Sequence, residues 1–148
     1  DWNNLILSED YLNLLNEDPQ DVRHCVTEVS AIANNEGLPE GARDKKVYLT
    51  NFPGKTGDPR DNNLCIVRLS EIYLNAAEAG LKIGGEQATK GMEYLNDVIT
   101  NRTTNTAMKV NAATDFTLER ILKERRKELV GEGLAVYDYT RNNLPVVR

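Results

Sequence analysis

The chain has 148 residues, 40% hydrophobic and 28% charged, with five prolines, which suits one globular domain with a real core rather than a disordered chain. Its 18 cations are outnumbered by 23 carboxylates and scattered along the chain, which argues against a nucleic-acid footprint. No apolar run reaches the roughly 20 residues of a membrane-spanning helix, and a single His24 with Cys25 and Cys65 far apart leaves zinc almost without ligands.

Ser8, Glu9 and Asp10 read as the cap and acidic first turn of a short amphipathic helix through Tyr11, Leu12, Leu14 and Leu15, which stops before Pro19. Asp21-Val22-Arg23 then turns into Cys25-Val26-Thr27-Glu28-Val29, a stretch compatible with a strand or with a helix start. Residues 34–63 hold most of the Gly, Pro and Asn and read as loop, with one or two strands near Val47-Tyr48-Leu49 and Phe52.

From residue 66 the period becomes helical. Leu69, Ile72, Tyr73, Ala76, Gly80 and Ile83 predict one apolar face, and Ala88, Met92, Leu95 and Ile99 predict a second. Gly84-Gly85 between them is short enough to require an antiparallel hairpin. Ala76 and Ala88 have the spacing at which tetratricopeptide-type hairpins place their close-contact small residues. A third helix is predicted from Thr114 or Asp115 through Leu118, Ile121, Leu122 and Leu129, stopped by Gly131 and Gly133, and a short fourth from Ala135 to Thr140. The fold class is therefore mostly α: tetratricopeptide-like helical hairpins behind an irregular, loop-rich N-terminal third. A single partial domain is expected, divided into a loop-rich segment 1–65, a helical repeat segment 66–141 and the start of a tail at 142–148.

The chemistry-bearing residues concentrate in the last long helix. Arg125 lies between Ile121 and Leu129 on the apolar stripe, so its guanidinium points inward and needs a carboxylate, with Glu71, Glu78 and Glu128 as candidates. An anion or sugar-acid clamp is the functional alternative. Glu124, Glu128 and Glu132 recur every four residues, and paired carboxylates at separations of roughly 5–9.5 Å can hydrolyse glycosides. Salt-bridged acids on an amphipathic helix are the commoner arrangement and the preferred reading. Asp138 and Arg141 suit a helix-end ion pair beside Tyr137 and Tyr139. Among the aromatics, Trp2, Tyr11, Tyr48 and Phe52 either pack the loop-rich part or offer flat faces to sugar rings, with Trp2 beside Asn3 and Asn4 the best case for binding. No GxGxxG, P-loop, Ser/His or Cys/His pattern is present, so neither a catalytic residue nor a cofactor is expected. Cys25 and Cys65 are compatible with a disulfide or with two buried thiols.

Three blocks resemble the SusD/RagB family. The segment from Val67 to Ala79, with Arg68, Glu71 and Glu78, is similar to the family's R-x-x-E-x-x-L-x-x-A-E-A helix. The segment from Tyr94 to Arg102 resembles its LN-x-[VI]-R-x-R helix, with Thr100 where an Arg is common. Leu122 to Arg141 resembles its ERR-x-EL-x-x-EG ending, with Ala135 at a position where a basic or polar residue is frequent and Val136 at that of the usual aromatic. Asp18-Pro19-Gln20-Asp21-Val22-Arg23 is similar to the family's D-x-R segment. The resemblance implies a truncated SusD-like α/α fold and a non-enzymatic outer-membrane lipoprotein at the cell surface, which captures glycans or other nutrients over a SusC-like TonB-dependent transporter. It implies a longer protein whose lipid anchor lies in an upstream part. On this reading Trp2, Asn3 and Tyr48 are the expected ligand contacts. Arg68, Glu71, Glu78, Glu124, Arg125, Glu128, Asp138 and Arg141 are expected as structural ion pairs, with no metal. The alternative is a helical-repeat module that binds a protein and no sugar.

Overall fold

The computed structural model describes residues 6–31, 45–50, 56 and 66–145. Five α-helices, two short 3-10 turns and one two-stranded sheet make up the regular structure of these residues. The fold is mostly helical, as the hydrophobic periods predict.

Helix α1, Glu9–Asn16, begins where Ser8 Oγ accepts from the Tyr11 amide at 3.3 Å, with Glu9 and Asp10 favourably placed at the positive end of the dipole. It buries Tyr11, Leu14 and Leu15. The stretch that was ambiguous by pattern divides in two. Asp21 accepts from the Arg23 amide at 2.9 Å and caps a 3-10 turn, Val22–Val26, which then opens into strand β1, Thr27–Ala31. Strand β2, Lys45–Leu49, pairs antiparallel with β1 in the register Thr27 to Leu49 and Val29 to Val47. The Leu7 amide donates to the Val47 carbonyl at 2.9 Å, so the segment before α1 lies along the same ribbon.

Helices α2, Leu69–Ile83, and α3, Glu86–Thr100, form the predicted antiparallel hairpin. Gly84 (φ 80°) and Gly85 (φ 58°) make the turn between them in the left-handed region that side-chain-bearing residues avoid. Two details differ from the sequence reading. The close contact is Gly80 against Gly91 rather than Ala76 against Ala88. A Cβ on Gly91 would meet the Ala77 carbonyl oxygen at 2.9 Å and Phe116 Cζ at 3.0 Å, and one on Gly80 would strike the Gln87 carbonyl. The buried face of α2 is also rotated: Leu74, Ala77 and Gly80 face inward with Glu78, whereas Leu69, Ile72 and Ile83 are exposed. Helix α2 is apolar on both sides, so periodicity alone could not tell which side the described core would take.

Helix α4, Leu118–Glu128, starts later than expected. Thr117, not Thr114 or Asp115, is the cap, its Oγ1 accepting from the Arg120 amide at 3.2 Å. Its extended backbone lets the preceding Phe116 turn into the core. Helix α5, Ala135–Arg141, is closed by two carbonyl-satisfying bonds, Leu144 N to Tyr139 O at 2.9 Å and Asn143 N to Thr140 O at 3.1 Å, with Asn143 at φ 54°. The core gathers Leu74, Ala77, Leu95, Val98, Ile99, Val110, Phe116 and Ile121 between α2, α3 and α4.

Candidate functional site

The α4 carboxylates do not face a cleft. Glu128 stands at the centre of three arginines. Arg102 grips it with two parallel bonds, Nε to Oε2 at 2.9 Å and Nη2 to Oε1 at 2.7 Å. Arg23 reaches Oε2 at 3.2 Å, and Arg68 reaches Oε1 at 3.5 Å while also donating to the Glu128 carbonyl. One turn earlier, Glu124 is fully buried and held by Arg23 at 2.7 Å and Lys127 at 3.1 Å; these are ion pairs without aligned hydrogen bonds. Arg23 is itself clamped by Asp21, Nε to Oδ1 at 2.8 Å and Nη2 to Oδ2 at 2.6 Å. Glu132 continues the row with Arg68 at 2.7 Å.

A second cluster fixes α5. Arg125 is 3% exposed and donates from Nε to Asp138 at 2.8 Å and from Nη1 to Asn75 Oδ1 at 2.6 Å. Its expected partners Glu71, Glu78 and Glu128 are not the ones it takes. Glu128 is saturated by other arginines, and Asp138 is brought beside it when the chain turns back into α5. Arg141 bridges Asp138 and Glu78, each at 2.6 Å, and Lys82 holds the other oxygen of Glu78 at 2.7 Å. Glu71 forms no ion pair among the described residues. Tyr137, expected to cover the Asp138–Arg141 pair, points to solvent.

Burial by itself would push the Glu128 carboxyl up. Hydrogen bonds from Arg102 and Ser70 and the charges of Arg102 and Arg23 outweigh it and hold the group below the usual carboxylate range. Asp21 and Glu78 follow the same pattern: burial is overcome at Asp21 chiefly by Arg23, and at Glu78 chiefly by Lys82 and Arg141. A general acid for glycoside cleavage needs a raised value and access to substrate. Glu128 shifts the other way, and Glu124 has no exposed surface. The row is a charge lattice that locks helices together.

The lattice also explains residues that the sequence reading did not weigh as ion-pair partners. Arg23 and Arg102 carry the largest share of the pairing and meet α4 from distant segments, so no local spacing marks them; Asp21 and, on α4 itself, Lys127 complete it. Of the expected ligand contacts, Trp2 and Asn3 lie outside the described residues. Tyr48 sits on β2 opposite Glu28 and is only 8% exposed, so its ring serves packing rather than presenting an open platform. Phe52 and Cys65 lie outside the described residues, and Cys25 is a free, exposed thiol rather than a buried one. Cavities do exist beside the lattice. One of about 470 Å³ lies between the Ile6–Ser8 segment, the end of α4 and α5, where Tyr11, Arg126 and Tyr139 meet apolar walls. Another, of about 460 Å³, is bounded by Arg68, Tyr73, Asp97 and Arg102. Among the described residues no group of histidine, cysteine or acidic side chains could hold a metal ion.

Residues 13–146 match the model of the SusD family. The chain belongs to the SusD family. A crystal structure of a SusD superfamily protein from Bacteroides thetaiotaomicron VPI-5482, solved at 1.49 Å resolution, is 66% identical over 97% of this chain, with a TM-score of 0.84. The present chain spans 31% of that protein's length. A comparison with curated proteins returns no match. The SusD-family blocks read from the sequence are the elements of the lattice itself: Arg68 and Glu78 on or beside α2, Arg102 after α3, and Glu124, Arg125, Glu128, Asp138 and Arg141 on α4 and α5. No helix among the described residues is long and apolar enough to cross a membrane.

Proposed function

We propose that this chain is part of a non-catalytic, cell-surface nutrient-binding protein of a SusCD-like uptake system, held at the outer membrane by a lipid anchor, with a glycan as ligand and a SusC-like TonB-dependent transporter as partner. The supporting observation is the SusD-family match over nearly the whole chain together with a 66% identical structural relative. The site chemistry agrees with it. The acids that would have to do catalysis are neutralised at short range inside the fold, where they position helices rather than substrate. The segment from Val67 to Arg141 then acts as scaffold, and the ligand contacts are assigned to Trp2 and Asn3.

The test is calorimetric titration of the full-length protein against a panel of glycans, with co-purification from membranes of a TonB-dependent transporter. Saturable binding without turnover, weakened at least tenfold by Trp2→Ala, is expected. Silence on every glycan alongside a retained transporter would move the assignment to a protein-interaction module. Glycan turnover that disappears in Glu128→Gln would overturn it.

A further inference from the structure

Of the arginines among the described residues, all but Arg126 hold a carboxylate within ion-pair distance. Arg126 is half-buried and makes neither an ion pair nor a hydrogen bond to any described residue. Its own helix offers it no acid. The positions three and four residues away, which are those a helical side chain can reach, are Leu122, Lys123, Leu129 and Val130. Asp138 lines the same cavity as Arg126 but is taken up by Arg125 and Arg141. A guanidinium with its planar fork of five N–H donors is thus left over inside the fold.

Leu122, Arg126 and Tyr139 line both the cavity of about 470 Å³ at the end of α4 and an outer one of about 650 Å³ between α1, α4 and α5. The outer cavity also carries Asp10, Glu17 and Glu119, which repel an anion. The inner one has Leu7, Leu49, Leu129 and Val130 on its walls with Tyr11 beside them, and Asp138, already neutralised, is the one carboxylate among its described lining residues. Burial pushes the Tyr11 phenol up, and Arg126 is among the charges that oppose the shift, so the guanidinium acts on the same space. We propose that the inner cavity binds a small monocarboxylate with an apolar body, its carboxylate on the Arg126 fork and its body along the leucine and valine walls. Apolar walls with one convergent charge are the ordinary construction of a small-molecule site, and the volume falls within the roughly 300–1,000 Å³ of such sites. A carboxylate matches the guanidinium with two parallel charge-assisted bonds. This ligand differs in chemistry from the glycan assigned to Trp2 and Asn3.

Isothermal titration of the full-length protein with hydrocinnamate and with octanoate reads the site, and hydrocinnamyl alcohol is the uncharged counterpart. Saturable binding of both acids is expected, weaker by about tenfold or more for the alcohol, and for either acid on Arg126→Leu. Arg126→Lys keeps the charge without the fork and should fall between the two. Lys123→Ala removes a cation of the outer cavity that Glu119 already pairs, and should leave the affinity unchanged. Without ligand, the thermal midpoint of Arg126→Leu should equal that of the wild type, since no carboxylate of the protein loses its partner. Silence on both acids, equal binding of acid and alcohol, or an affinity untouched by Arg126→Leu would overturn the inference. A lowered ligand-free midpoint in Arg126→Leu would overturn it as well, by showing that the guanidinium is already paired within the full-length protein.

Discussion

Arg23 and Glu128, 105 residues apart in sequence, meet at 3.2 Å inside the protein. Through this contact the 3-10 turn after α1 is pinned to the end of α4. The same arginine holds Glu124 and Asp21, so a single guanidinium, clamped by Asp21, ties the N-terminal segment to the helical part at two carboxylates, Glu124 and Glu128. Removing a member of such a set leaves a buried charge partly uncompensated, which costs more than the pair contributes when intact.

Arg23→Met should therefore be among the most damaging single substitutions. It strands Glu124 with Lys127 and a distant Arg120, and leaves Asp21 with the residue-23 amide and, as cation, only Lys127 at 3.8 Å. A loss of about 3–5 kcal/mol is expected in urea denaturation. Lys123→Ala is the control: its pair with Glu119, at 3.6 Å, is on the surface, and its loss should stay within about 0.5 kcal/mol.

Arg125→Met should cost about 3 kcal/mol, the lower end of that range, because Asp138 keeps Arg141 at 2.6 Å. Adding Asp138→Leu to Arg125→Met should recover part of the loss, since no buried charge then lacks its partner. A double-mutant cycle in urea with a coupling of at least about 1 kcal/mol would verify the pair; strict additivity would contradict it.

Gly91→Ala should destabilise by about 1–3 kcal/mol despite the better helix propensity of alanine. Its new methyl meets the backbone carbonyl of Ala77, which cannot move without shifting α2. Gly84→Ala has open space around it and should lose only about 1–2 kcal/mol, through the left-handed backbone alone. The difference would be read in thermal midpoints; a stabilised Gly91→Ala protein would show that the helices are not in contact there.

Acid should unfold the protein through the same carboxylates. Asp21, Glu78 and Glu128 have folded-state pKa values below their ordinary ones: burial opposes ionisation, and hydrogen bonds from Arg23, Lys82 and Arg102 outweigh it. A depressed value means that the unfolded chain takes up protons first. The stabilisation is thus fully present above about pH 5 and is lost as pH falls through 4 and below. Urea midpoints measured from pH 7 to pH 3 should fall steadily in the wild type and less steeply in Glu128→Gln, which starts lower.

The sequence by itself determined the helices, the double-glycine turn, the inward direction of Arg125 and the family resemblance, because each of these is written in spacing within one segment. Helical period, cap residues and glycines act over a few positions, so α2, α3 and the stop of α4 were legible. Tertiary structure decided which carboxylate met which arginine. Arg125 takes Asp138 and Asn75 because Glu128 is already held by Arg102, Arg23 and Arg68, a competition among segments up to 105 residues apart that no local pattern records. It also decided which side of α2 faces the described core, and it moved the close helix contact from alanine to the Gly80–Gly91 pair. Local chemistry chose the elements, and the packing of distant segments around buried charge chose their partners.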